Sequence, residues 1–121
     1  MLRTTFACIA ALILSTSIAS AADAVRGEQR FKIMCATCHA IDPAQKKMGP
    51  HLKGIVGRKA ALLEGASYST AMKASGWTWD AAKLDQYLAD PKKALPGTSM
   101  MVGVSNAQDR ADIIAYLVTL K

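Results

Sequence analysis

The sequence predicts a small all-α domain in which three main helices are joined by two long loops. Three segments carry apolar residues at helical spacing, and each is bounded by capping residues or by proline. The alternation of polar and apolar residues that marks strands is weak throughout the chain. Glycine and proline punctuate the loops, residues 41–67 and 91–103. Loops this long in a small domain usually serve a function or enclose a ligand.

The first 21 residues have the pattern of a secretory signal peptide. Arg3 precedes an apolar run over residues 6–18, and Ala19-Ser20-Ala21 supplies small residues for cleavage after Ala21 or Ala22. The run is too short to cross a bilayer, which needs about 20 residues. We therefore expect export to the periplasm and a mature domain of residues 22–121, with a retained N-terminal anchor as the alternative. Removal of Arg3 would lower the net charge from +6 to +5.

The first two helices are predicted from apolar spacing and from residues typical of helix ends. The first covers residues 24–36, and its loose apolar face consists of Val25, Phe31 and Ile33. The second begins after Asp80, because this carboxylate can accept hydrogen bonds from free backbone amides. It ends at Asp90, since Pro91 cannot continue a helix. Its apolar residues are Leu84, Tyr87 and Leu88.

The last main helix is predicted over residues 106–120. Ser105 and Gln108 match the capping-box pattern, in which each side chain binds the backbone amide of the other residue. The buried stripe of this helix is predicted to contain Ile113, Ile114, Leu117 and Leu120. A further short helix is predicted over residues 69–74.

The pentapeptide Cys35-Ala36-Thr37-Cys38-His39 is typical of a c-type haem attachment site. Each thiol can add across one vinyl group of the porphyrin, and His39 can then bind the iron. We expect one covalent haem, held by Cys35 and Cys38, that also forms part of the core. Attachment of c-type haem in bacteria follows export, which agrees with the predicted signal peptide.

Three other readings of the motif remain open. A thioredoxin-like redox motif needs a strand before it and a βαβ context. A zinc site would need both cysteines together with His39 and His51, and His39 adjoins Cys38, which is awkward for tetrahedral coordination. The third reading is a plain disulfide. No strand is predicted directly before the motif, and this together with the predicted export favours haem.

A second axial ligand must come from elsewhere in the chain. The candidates are His51, Met34, Met48, Met72, Met100 and Met101. Methionine is ordinarily a flexible filler of cores, so most of these side chains are expected only to pack. Met100 differs because Pro96 and Gly97 precede it and can fix a turn that holds its thioether. His51 is expected to be a surface or loop residue.

With these motifs in order, the chain resembles the class I c-type cytochromes, in the mitochondrial-like and bacterial cytochrome c group. The resemblance covers nearly the whole mature chain and implies the small cytochrome c fold, with three main helices and long loops around one haem. It implies that Gly27 and Phe31 pack against Tyr116 where the first and last helices cross. The segments that carry the resemblance are residues 27–31, 48–59, 77–79, 87–93, 96–100 and 110–117.

The resemblance also implies roles for individual residues. Cys35 and Cys38 form the thioether links, and His39 and Met100 are the axial ligands, a pair that raises the reduction potential. The carbonyl of Pro50 accepts a hydrogen bond from His39 and so orients its ring.

Further contacts around the haem are implied in the same way. The Tyr87 hydroxyl approaches the Met100 sulfur, and Thr98 belongs to the haem-binding stretch. The residues implied to donate toward a buried haem propionate are Arg58, Tyr68 and Trp79. For Trp79, Tyr87 and Tyr116, apolar packing alone is the alternative role.

Three departures from the family pattern bear on the haem pocket. Met72 falls where the family often has a polar residue, and Val102 falls where many members have an aromatic ring. The stretch after Met101 is about one residue shorter. These differences are expected to affect the reduction potential, the methionine loop or partner contact.

The predicted function is that of an electron carrier, with no catalytic residues. The chain is basic, with a pI of about 9.4, and Lys92 and Lys93 lie close in sequence to Met100. Other lysines, on the first loop, are Lys46, Lys47, Lys53 and Lys59. Such a surface favours docking of acidic redox proteins, among them a quinol–cytochrome c reductase, a terminal oxidase or a periplasmic dehydrogenase.

Two alternative functions remain open at this point. One is an electron-accepting subunit of a single periplasmic dehydrogenase, and the other is a haem ligand-binding or peroxidatic protein in which Met100 is labile. We expect a monomer that neither binds nucleic acid nor inserts stably into a membrane.

Overall fold

The computed structural model describes residues 20–121, so residues 1–19, which hold most of the predicted signal peptide, lie outside the described residues. Its helices are α1 (Ala24–Met34), α2 (Thr70–Ala74), α3 (Ala81–Ala89), α4 (Pro91–Ala94) and α5 (Ala107–Thr119). Within residues 20–121, β-structure is limited to an isolated bridge between Lys59 and Thr78. The predicted all-α class is confirmed. No helix in this part of the chain has the length and apolar character needed to cross a membrane.

Helix α1 crosses α5 at a position where only glycine fits. A β-carbon on Gly27 would lie 1.9 Å from the carbonyl oxygen of Asp112. One turn later, the buried ring of Phe31 meets Tyr116 edge to face, with 5.6 Å between ring centroids. The predicted packing of these residues is therefore confirmed. The crossing fixes the orientation of α1 and therefore the position of Cys35, which follows its last residue.

The predicted apolar face of α1 is wrong at two of its three positions. Val25 and Ile33 are 69% and 71% exposed, whereas Gly27 and Phe31 are buried. Gly27 and Phe31 lie four residues apart on the face that meets α5, whereas Val25 and Ile33 are each two residues from one of them and so lie on the opposite face of the helix.

A buried carboxylate ties the start of α1 to α5. Asp112 is 2% exposed and accepts hydrogen bonds from Arg26 Nε at 3.0 Å and from the backbone amide of Asp23 at 2.8 Å. Hydrogen bonding by Arg26 is the largest of the effects that lower the pKa of the Asp112 carboxyl to about 2. This contact therefore stabilises the fold above the ordinary carboxyl pKa, and its contribution is lost as the pH falls toward 2.

Helices α3 and α4 share one capping residue. Asp80 caps α3 by accepting from the Lys83 amide, and the predicted apolar residues Leu84, Tyr87 and Leu88 are all buried. Asp90 ends α3 and then accepts from the amide of Lys93, which begins α4 with Pro91 in its first turn. The prediction of a continuous loop after Asp90 is thus wrong for residues 91–94. Proline cannot continue α3, but its fixed φ suits the first turn of a new helix.

Helix α5 begins with a cap other than the predicted one. Asn106 Oδ1 accepts from the amide of Asp109 at 2.9 Å, whereas Gln108 donates to Asp112 at 2.9 Å. The predicted capping box of Ser105 and Gln108 is therefore wrong, because the buried Asp112 competes for the glutamine side chain. Of the predicted stripe, Ile113, Ile114 and Leu117 are buried and Leu120 is half-buried.

Candidate functional site

A cavity of about 370 Å³ opens between the helices and both loops. Its lining is largely apolar, with a few polar side chains, a combination typical of cofactor sites. Every residue predicted to bind a cofactor or a metal lies on its wall. These residues are Cys35, Cys38, His39, Pro50, Arg58, Tyr68, Trp79, Tyr87, Thr98 and Met100.

A backbone turn after α1 brings the motif onto the cavity wall. The amides of Cys35 and Ala36 both donate to the Phe31 carbonyl, and the amides of Cys38 and His39 both donate to the Cys35 carbonyl. The helix therefore ends at Met34, two residues before the predicted end, and closes into a turn at Cys35. Because of this turn, all three side chains of the motif reach the cavity, even though the first and the last are only four positions apart in the chain.

The structure disfavours the other readings of the motif. Both cysteines are free thiols, and burial, followed by the nearby Cys38, raises the pKa of the Cys35 thiol to about 11. Reactive redox cysteines have lowered pKa values. Among residues 20–121, no group of three or more His, Cys, Asp or Glu side chains is arranged to hold a metal ion.

The ring of His39 is oriented by the loop that follows it. Its Nδ1 lies 2.8 Å from the carbonyl oxygen of Pro50. A carbonyl can only accept, so Nδ1 carries the proton and Nε2 keeps the lone pair that can bind a metal. Gly49 allows the loop to pass this close, because a β-carbon there would lie 2.4 Å from His39 Cε1. Sequence reasoning assigned Gly49 no role, and only the folded contact reveals one.

The candidate sixth ligands differ in their exposure. Met48 and Met101 are 83% and 64% exposed, while Met72 is buried in the core. Met100 is half-buried, packs against the core and lines the cavity. His51 is absent from the cavity wall. Met34 and Met100 are thus the methionines that are partly buried against the core. Met34 is the last residue of α1, directly before Cys35.

The segment before Met100 is anchored by a hydrogen bond that sequence reasoning did not predict. The Tyr87 hydroxyl lies 2.5 Å from Thr98 Oγ1, and both residues are buried. Within residues 20–121, no hydrogen bond joins this hydroxyl to the Met100 sulfur, which was the implied partner. The contact holds the turn at residues 96–98 against α3, two residues before Met100.

The three implied propionate donors lie on the cavity wall, and two of them also form hydrogen bonds with backbone atoms of the first loop. Arg58 is 9% exposed and donates to the carbonyl oxygens of His51, at 2.8 Å, and Lys53, at 2.5 Å. Tyr68 accepts from the amide of Leu63 at 3.3 Å. A guanidinium has five N–H donors, so Arg58 keeps donors beyond those two contacts.

Trp79 and His51 have neighbours that define their environments. Trp79 is 7% exposed and packs against Tyr87, with 5.2 Å between ring centroids, so apolar packing is part of its role. His51 Nδ1 lies 3.4 Å from Arg58 Nη2. Burial, and then the positive charge of Arg58, lowers the pKa of His51.

The donor set fits a covalently held haem. Two thiols and an imidazole with a free Nε2 lie on one wall of an apolar cavity whose lining also includes a methionine thioether and a buried arginine. Thiols can form thioether links, imidazole and thioether are haem-iron ligands, and arginine can neutralise a carboxylate.

Comparisons with known proteins agree with this site. A family model described as cytochrome c matches residues 24–121. The chain is 52% identical over 112 residues to cytochrome c2 of Rhodomicrobium vannielii, covering 91% of this chain and 89% of that protein. It is 46% identical over 109 residues to cytochrome c2 of Blastochloris viridis, covering 87% and 85%. The solved structure of cytochrome cH from Methylobacterium extorquens matches with a TM-score of 0.73 and 48% identity, covering 80% of this chain and 98% of that one.

Proposed function

Because the chain belongs to the cytochrome c family, and so binds a single covalent haem c through Cys35 and Cys38, we propose that it carries single electrons between redox proteins of the periplasm. It is a monohaem electron carrier and not an enzyme. Haem iron supplies a reversible one-electron change between its ferrous and ferric states. We propose His39 and Met100 as the axial ligands. The observation that carries the His39 assignment is the Pro50 carbonyl, which fixes the proton on His39 Nδ1 and leaves Nε2 free. Met100 is proposed because it packs against the core and lines the same cavity.

The chain's residues would keep the site rigid during electron transfer. Pro50 holds the His39 ring, and the hydrogen bond between Tyr87 and Thr98 fixes the turn that leads to Met100. Arg58, which is buried on the cavity wall, would neutralise a propionate there, because an unpaired buried carboxylate would be costly. A site held in one geometry needs little rearrangement when its charge changes.

We propose that residues 1–21 form a signal peptide that directs the chain to the periplasm, with cleavage after Ala21 or Ala22. Support comes from the charged start, the short apolar run and the small residues at the cleavage point. The cytochromes c2 to which the chain is similar are bacterial proteins.

Optical spectra of the exported holoprotein test the proposed ligands. We expect low-spin ferric and ferrous spectra, a methionine-to-ferric-iron band and no response of the ferrous form to carbon monoxide. The reason is that two protein ligands would fill both axial positions. High-spin spectra or ready binding of carbon monoxide would reject Met100 as a firm ligand and favour the ligand-binding or peroxidatic alternative. Absence of covalent haem would reject both functions.

We propose that partners dock on the basic surface formed by Lys92 and Lys93 on α4. Both side chains are exposed, and α4 leads directly into the turn before Met100. Positive charge near a redox centre accelerates encounter with acidic partners. A quinol–cytochrome c reductase, a terminal oxidase and a periplasmic dehydrogenase are the classes of partner proposed.

Reversing these two charges is expected to slow electron transfer. Lys92→Glu with Lys93→Glu should lower the second-order rate with a quinol–cytochrome c reductase roughly tenfold at low ionic strength, and the difference should vanish at high salt. Stopped-flow kinetics over a range of salt concentrations measures this. The matched control is Lys53→Glu with Lys121→Glu, which changes the net charge equally at a surface that α4 does not reach. Equal rates for the two double variants would place docking elsewhere.

One observation favours the dehydrogenase-subunit alternative. Met48, Met101 and Val102 are exposed and line the cavity, so apolar side chains surround part of its mouth. Exposed apolar patches mark sites of protein contact, and the interfaces of permanent complexes are more hydrophobic than those of transient ones. A salt-independent complex with one dehydrogenase, stable in gel filtration, would support this alternative over a mobile shuttle.

A further inference from the structure

The carboxylate of Asp112 contacts the beginning of the domain directly. Its Oδ1 accepts from the backbone nitrogen of Asp23 at 2.8 Å, and the two residues are 89 positions apart. The Asp112 side chain is 2% exposed, so it is a buried acceptor on α5 that binds the backbone at the start of α1. Arg26 and Gln108 donate to the same carboxylate.

We propose that Asp112 is the binding site for the α-ammonium group of the processed chain. The inference rests on the proposed cleavage after Ala21 or Ala22. Hydrolysis adds one water: the hydroxyl goes to the departing carbonyl carbon, and the nitrogen receives a hydrogen and, at neutral pH, one further proton. After Ala22 the new ammonium is the Asp23 nitrogen that already contacts Asp112. After Ala21 it lies one residue farther out.

Within residues 20–121, the charged groups around Asp112 carry one negative charge that no positive group balances. The carboxylates of Asp23 and Asp112 share the guanidinium of Arg26, at 3.4 Å and 3.0 Å respectively. Two negative groups and one positive group leave a local charge of minus one. The nearby ion pairs balance themselves: Arg30 with Asp109 at 3.0 Å and Lys32 with Glu28 at 2.9 Å. An ammonium group at the chain start would make this cluster neutral.

In the unprocessed chain, Arg26 and Gln108 divide their donors between the Asp112 carboxylate and the Ala21 carbonyl, and processing would end this division. Arg26 Nη2 and Gln108 Nε2 lie 3.3 Å and 3.4 Å from the carbonyl oxygen of Ala21. Cleavage at either position removes this carbonyl together with the leader. Both donors then serve Asp112 alone. Removal of the leader would therefore strengthen the contact between α1 and α5 and would not merely trim the chain.

Titration of the α-amino group in the exported holoprotein tests this inference. The first residue is identified by intact mass, and the amine is then labelled by reductive methylation with ¹³C, which preserves its charge. We expect the pKa of the labelled amine to lie about one unit above the usual range of about 7.7–8.0, a tenfold gain in proton affinity, because Asp112 favours the charged form. Asp112→Asn should return it to that range, whereas Asp109→Asn, the matched change on the same helix, should not.

The possible failures are distinguishable. A wild-type α-amine that titrates in the usual range overturns the inference, and this measurement needs no variant to fold. An equal rise in Asp112→Asn would also overturn it by assigning the rise to another group. A first residue upstream of Ala22 would reject the cleavage proposal and the inference together, and intact mass reveals that outcome before any titration. None of these results alters the ligand assignment tested by the optical spectra.

Discussion

Met100→Ala is expected to leave the haem iron without its sixth protein ligand. The ferric spectrum should lose its methionine band and become high-spin, and the ferrous form should bind carbon monoxide. The reduction potential should fall by on the order of 0.1 V or more, since axial ligation sets haem potentials over roughly 0.8 V. Optical spectra and a redox titration of the purified holoprotein measure all three changes.

Met101→Ala provides the matched control for this experiment. The two methionines are adjacent and both line the cavity, but Met101 is 64% exposed and Met100 is half-buried against the core. The control should keep the low-spin spectrum and most of the potential. If Met101→Ala opened the sixth position and Met100→Ala did not, the ligand assignment would be reversed. If neither variant opened it, a ligand such as Met34 would have to replace both.

Gly27→Ala is expected to be among the most destabilising single substitutions on α1. The added β-carbon would lie 1.9 Å from the carbonyl oxygen of Asp112 and 2.5 Å from its carbonyl carbon. Both atoms belong to the backbone of α5, so no side chain can rotate away and the two helices must separate. Overpacking of this kind costs about 1–3 kcal/mol or more, which exceeds the gain of about 1 kcal/mol from replacing glycine in a helix.

The free energy of unfolding, measured with urea on the oxidised holoprotein, tests this expectation. Gln29→Ala is the control, because Gln29 is exposed on the same helix and its replacement should change stability by less than about 0.5 kcal/mol. Equal or greater stability of Gly27→Ala would mean that the helices do not cross as closely as the structure has them. Both variants should keep the haem attached, since neither residue lines the cavity.

The local features of the chain were predictable because they depend on residues close in sequence. Asp80 caps α3, and Pro91 ends it, by contacts within one helical turn. The attachment motif is equally local, since its two thiols and its imidazole lie within five residues. On the second loop, Pro96 and Gly97 pointed to Met100, and the resemblance to class I cytochromes implied that it is an axial ligand. Its ligation stays a prediction until the spectra are recorded.

Errors arose where another contact competed with the predicted local pattern. Ser105 and Gln108 have the spacing of a capping box, but Gln108 binds the buried Asp112 and Asn106 caps the helix. Val25 has the spacing of an apolar face, but the close crossing at Gly27 leaves it outside. The contact between α1 and α5 decided the second outcome, whereas the acceptor that decided the first lies on α5, four residues from Gln108.

By itself, the sequence determined the helical class, the positions of the main helices and the chemistry of haem attachment, because helix periodicity, caps and the thiol–imidazole motif act over a few residues. Only the tertiary structure decided which face of α1 is buried, which side chain is the hydrogen-bond partner of the Tyr87 hydroxyl and how closely Gly49 passes His39. These features join residues that are far apart in the chain or that meet through a loop. Their geometry follows from how the helices cross and how the loops close around the cavity.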